Sequence, residues 1–133
     1  MSSLSTFPSR VSTLDRLIAK TADIIMAKFG RRSLFDAHER GKRCVEEAVE
    51  LAQALDVPKH EVLQIVLHVY KHKPGEIYQE MAGLGVCYLA AATALGSDVE
   101  RGIDAELDRL DSIPQEKIDA KQQTKNAAGI TTY

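Results

Sequence analysis

The chain has 133 residues, 17 of them basic and 19 acidic, for a formal net charge of -2, with 44% hydrophobic and 5% aromatic residues. That length fits one domain with a modest core. The near-neutral balance excludes a general nucleic-acid binder or a charge-driven membrane binder, so any phosphate contacts must be local.

The first ten residues, MSSLSTFPSR, lack the basic start and continuous apolar core of a secretion signal and read as a flexible N-terminus over 1–10. From 11 to about 29, Leu14, Leu17, Ile18, Ile24, Ile25 and Phe29 recur at helical spacings. They predict a first amphipathic helix, ended by Gly30, with no chemistry on it. Ser33, with Asp36 three residues on, reads as the capped start of a second, longer helix reaching about Leu55.

That second helix carries the run ERGKRCVEEAVELAQAL, residues 39–55. At ~100° per residue, Glu46, Glu47 and Glu50 share one face, away from the stripe of Cys44, Ala48, Leu51 and Leu55. A solvated face is the ordinary meaning of such a cluster, but local pairing supports it only in part. Lys42 and Arg43 precede Glu46 and Glu47 by four residues, the weaker order for helix ion pairs, and Glu50 has no local partner. A divalent cation would turn the mutual repulsion of these carboxylates into attraction.

Pro58 opens a third helix with Val62, Ile65, Val66, Val69 and Tyr70 on its apolar side. His68 and His72 are four apart on it, but no further ligand stands at a recognisable offset, so they read as polar-face histidines. The stretch from Pro74 to Gly96 then predicts a helix that is apolar all round after Glu76 and Glu80. Its uncharged run is too short and too rich in glycine and alanine for a membrane span. The other segments should therefore cover it, within the chain or across an oligomer interface, and Gly83, Cys87, Ala90 and Ala94 mark a seam of small side chains where a helix can come close.

Ser97 with Glu100 reads as a capping box for a fifth helix with Val99, Ile103, Leu107 and Leu110 inward, ended by Pro114. A last helical piece over 115–125 aligns Lys117, Lys121 and Lys125 at steps of four, a stripe that is either solvated or phosphate-binding. Residues 126–133 read as a flexible C-terminal tail, which leaves a single all-α domain over 11–125. Cys44 and Cys87 lie within apolar helical patterns and read as reduced buried thiols, consistent with a cytoplasmic protein.

Three runs taken together, ERxxRxxEEAxELxQAL from Glu39, GExxQExxGxxV from Gly75 and AKQxxK ending at Lys125, resemble the MazG-like all-α nucleoside triphosphate pyrophosphohydrolases, in particular the small stand-alone type of phages and bacteria. The resemblance implies a helical bundle of about five helices that assembles as a homodimer or homotetramer. It implies Mg²⁺ or Mn²⁺ held by Glu47, Glu50 and Glu80, with Glu46 as a further acidic member of the catalytic site. The family's second motif is usually ExxD; here Gly83 stands in the aspartate position, and Glu76, one turn before Glu80, is placed to compensate.

The implied reaction converts a (deoxy)nucleoside triphosphate and water into the monophosphate and pyrophosphate, with Lys117, Lys121, Lys125 and Arg43 as candidates to hold phosphates. The implied partners are that substrate and further copies of the chain, without nucleic acid or membrane. A dGTP preference in phage nucleotide metabolism, in the host cytoplasm, belongs to the same resemblance. A di-iron bundle is excluded because no Glu-x-x-His tetrapeptide occurs. A non-catalytic oligomeric helical module and a degenerate MazG-like protein remain as alternatives.

Overall fold

Seven helices make up the regular structure of the described residues, 11–133, in the computed structural model. They are α1 (Thr13–Phe29), α2 (Arg31–Phe35), α3 (Ala37–Ala54), α4 (Lys59–Tyr70), α5 (Ile77–Leu95), α6 (Val99–Ser112) and α7 (Gln115–Ala127). The chain is all-α as expected; the flexible N-terminus expected over 1–10 lies outside the described residues.

The helix boundaries follow local chemistry, with three departures from the sequence reading. The long second helix is two pieces, because Asp36 turns extended and caps α3, its side chain accepting from the Glu39 N–H at 3.0 Å. Ser33, expected to be that cap, instead lies buried inside α2 and accepts a 2.7 Å bond from Arg40. The cap of α6 is Asp98 rather than Ser97, accepting from the Arg101 N–H. Gly30 (φ 87°) and Gly96 (φ 62°) close α1 and α5 in backbone conformations that a side chain would strain.

The packing centre is α1. Arg16 bonds Glu100 and Asp104, Lys20 reaches Asp104 and Asp108, and Lys28 donates to the Ile113 carbonyl. Residue numbers rise together along both helices, so α1 and α6 run parallel. A parallel pair needs a long excursion between its members, and α2, α3, α4 and α5 form that excursion. Leu17 of α1 and Leu107 of α6 are buried, together with Ala92 and Ile118.

The helix expected to lie at the centre does not lie there within one chain. Every residue of α5 from Ile77 to Ala90 is exposed, and α5 makes no extensive contact with another described helix. Its neighbour α4 is almost as bare, with only Val62 partly covered. Cys44 and Cys87, expected to be buried, are both free thiols and both exposed, because the helices that would cover them are not folded back against them. Among the described residues no single helix is long and apolar enough to cross a membrane.

The C-terminal tail is held against the start of α3. The Thr132 N–H donates to Glu39 at 3.0 Å, the Tyr133 hydroxyl to Asp36 at 3.0 Å, and Arg32 lies over the Tyr133 ring. Thr131 is buried and bonds Gln122 and Asn126 of α7.

Candidate functional site

The acidic face of α3 comes to lie beside the basic stripe of α7. Helical spacing puts Glu46, Glu47 and Glu50 on one side of α3, and α7 approaches that side so that Lys125 Nζ stands 2.5 Å from Glu46 Oε1. Arg43 holds the other oxygen of Glu46 at 3.2 Å. Partial burial works against ionisation of Glu46, yet bonds and charge from Lys125 and Arg43 hold its carboxyl below the usual range.

Glu47 is in the opposite condition. It is exposed, and among the described residues neither it nor Glu50 has a cationic partner in ion-pair range. Partial desolvation, then the charges of Glu50, Glu46 and Glu106, push its carboxyl above the usual range, with Lys125 opposing. Glu106 is a member of this face that sequence reasoning missed. It sits on α6, paired with Arg109 at 2.6 Å, and an i,i+3 pair on an amphipathic helix gives no sign of which distant helix it faces.

Lys117, Lys121 and Lys125 line one open hollow of about 640 Å³ with Ile113, Ala120 and Thr124. Lys125 closes its end toward Glu46, whereas Lys117 and Lys121 have no ion pair among the described residues. Arg43, a candidate phosphate ligand from the sequence, is committed elsewhere. Its guanidinium meets Glu39 at 3.4 Å, Glu46 at 3.2 Å and Gln122, and stacks over Phe29.

The carboxylates of α5 stand apart from this face. Glu76 is the N-cap of α5, its oxygens accepting from the Tyr78 and Gln79 N–H groups at 3.2 and 2.9 Å. Those bonds give Glu76 a structural task that the sequence reading did not assign to it. Glu80 folds back over the backbone of Gly75, so closely that a Cβ there would fall on its carboxylate. Among the described residues no three acidic, histidine or cysteine side chains gather tightly enough to hold a metal ion. The metal ligands implied by the resemblance, Glu47, Glu50 and Glu80, are therefore not gathered into one cluster among the described residues. His68 and His72 pack edge to face, with His72 Nδ1 on the His68 carbonyl, as solvent-facing neighbours.

Glu39 is a further residue that sequence reasoning missed. Its side chain is fully buried; one oxygen accepts from Thr132 and the other forms an ion pair with Arg43 without a hydrogen bond. No family model, curated protein or solved structure matches this chain.

Proposed function

We propose that the chain is a nucleoside triphosphate pyrophosphohydrolase acting on a (deoxy)nucleoside triphosphate. The observation that carries this reading is the Lys125–Glu46 contact, which sets a lysine-lined hollow against two carboxylates, Glu47 and Glu50, that form no ion pair among the described residues. Lys117 and Lys121 supply positive charge for phosphate oxygens. We assign to Glu47 the role of proton acceptor for a water; the crowding of Glu50, Glu46 and Glu106 about it favours taking up a proton. The water oxygen bonds to the α-phosphorus, the bond from that phosphorus to the bridging oxygen breaks, and the electron pair leaves with pyrophosphate. The EExxE run and its resemblance to MazG-like enzymes support the same reading.

Dependence on Mg²⁺ or Mn²⁺ is part of the proposal, and its ligand set is not complete within one chain, so no step is routed through the ion. The test incubates the protein with Mg²⁺ or Mn²⁺ and each of the four ribo- and four deoxynucleoside triphosphates. Pyrophosphate and monophosphate are expected from at least one, dGTP being the first to try, and chelation should stop the reaction. Orthophosphate with diphosphate would mean attack at the γ-phosphorus and would sink the assignment. The incomplete ligand set favours a second reading, a non-catalytic helical module or a degenerate relative of such enzymes, which absence of product from all eight would support.

A further inference from the structure

We propose that the segment Thr131–Tyr133 is a strap that holds α7 against α3, and that Thr131 and Thr132 are positioning residues for the Lys125–Glu46 contact. Little else fixes α7. Its sequence, QEKIDAKQQTKNA, has Ile118 as its only large apolar side chain, and that residue is buried. Gln115 ties the start of α7 to the Lys28 carbonyl at 2.8 Å. Both anchors lie in the first turn or so, and Lys125 stands seven residues beyond Ile118, about 10 Å along the helix axis. Among the described residues α3 and α7 share no extensive backbone contact. Where the Lys125 ammonium sits against the glutamates of α3 therefore depends on polar side chains.

The strap spans the two helices. Toward α7, the buried Thr131 hydroxyl accepts from Gln122 at 2.9 Å and donates to Asn126. Toward α3, the Thr132 N–H reaches Glu39 at 3.0 Å and the Tyr133 hydroxyl reaches Asp36 at 3.0 Å, with the Arg32 guanidinium 5.2 Å from the Tyr133 ring centre. The two sides converge on Arg43. Glu39 meets its Nε at 3.4 Å, and the Gln122 side chain, oriented by Thr131, accepts from its Nη2. Arg43 in turn holds one oxygen of Glu46 at 3.2 Å, and the other oxygen faces Lys125. Glu39 is fully buried, and a buried carboxylate is costly without its partners, so the strap, Glu39 and Arg43 order one another. Release of the strap takes a donor from Glu39 and the bond that orients Gln122, and Lys125 then loses its fixed place at the end of the lysine-lined hollow.

The strap's bearing on turnover rests on the reaction proposed above, whereas its hold on Lys125 is tested without substrate. In the full chain, Thr131→Val keeps the shape and removes the hydroxyl, and Thr132→Pro removes the N–H that serves Glu39. A limiting amount of an amine-acylating reagent is added, and mass spectrometry compares Lys125 with Lys117, which has no ion pair among the described residues. The double variant should raise the ratio of Lys125 to Lys117 labelling at least about threefold, with amide exchange in α1 unchanged. Thr131→Ser, which retains the hydroxyl, should keep the parent ratio. An unchanged ratio in the double variant overturns the proposal. Hydrogen exchange on the unmodified protein is a check without mutation: a Thr132 amide protected as strongly as those of residues 122–127 supports the strap, and one that exchanges at the free-chain rate refutes it. If the parent releases pyrophosphate, Thr131→Val should raise KM for the triphosphate at least about threefold with kcat within about twofold, and an unchanged KM removes the strap from the site. A parent that releases none sinks the reaction, and the labelling ratio still decides the strap.

Discussion

Replacing Glu39 with glutamine should loosen the C-terminal tail and lower the melting temperature by more than any surface change of equal size. Glu39 is fully buried, and its carboxylate serves the Thr132 N–H and Arg43 at once. Glutamine keeps the shape and can still accept from Thr132. Its amide then faces Arg43 Nε, donor against donor, and the ion pair is gone. Leaving a buried polar group facing a like partner costs about 1–3 kcal/mol. For a chain of this length that corresponds to a fall of about 4–11 °C in Tm. Desolvation of the carboxylate is relieved at the same time, which puts the expectation toward the lower end of that range. Thermal unfolding followed by circular dichroism measures the change, and limited proteolysis reports whether residues 128–133 are cut sooner. Tyr133→Phe, which removes only the hydroxyl bond to Asp36, should give a smaller drop. A Glu39→Gln protein that melts within about 1 °C of the parent would refute the reasoning, because the tail would then not depend on the buried carboxylate.

Acid should weaken the fold through the α1–α6 clamp. Arg16 and then Lys20 hold the Asp104 carboxyl well below the usual range, and the Glu39 N–H and Tyr133 hydroxyl lower that of Asp36. A depressed carboxyl contributes stability above its unfolded value, about 3.9, and loses it as pH falls toward the folded value, so Asp104→Asn should flatten the decline of Tm below about pH 4. Glu47 runs the other way: its raised pKa means that the ionised form opposes folding, so Glu47→Gln should raise Tm at neutral pH while removing most pyrophosphate release. Equal melting of parent and variant at pH 7 would show that the crowding of carboxylates carries no cost. Lys117→Gln with Lys121→Gln should raise KM for the triphosphate with little change in helicity, and an unchanged KM would remove the hollow from the proposed site.

What was legible in the sequence was local. Helical periodicity places α1, α4, α5, α6 and α7 closely and puts the glutamates of α3 on one side of their helix. The break at Asp36 was not legible, because Ser33 and Asp36 are both good caps and only the burial of Ser33 against Arg40 decides between them. Composition alone predicts a flexible tail. Its order comes from contacts to residues more than ninety positions away, Thr132 to Glu39 and Tyr133 to Asp36, and no local pattern encodes these. The apolar character of α5 was also legible, but what covers it was not: periodicity states that a face is apolar without stating which surface meets it.

The three glutamates of α3 show how distant neighbours divide residues that the sequence presents as equivalent. Glu46 lies between Arg43 and Lys125, so its charge is neutralised and it ties α3 to α7. Glu47, one residue on, forms no ion pair among the described residues, and the repulsion of Glu50, Glu46 and Glu106 outweighs the pull of Lys125. A rotation of ~100° about the helix axis separates the two positions, enough for one side chain to meet a basic helix and the next an acidic one. The consequence concerns role: removing Glu46 frees Lys125 and loosens an interhelix contact, whereas removing Glu47 relieves a repulsion that the fold tolerates. A crowded carboxylate favours a cation, and the neighbouring lysines favour phosphate oxygens, so the two charges set side by side suit a ligand that carries both, which is what the proposed reaction requires.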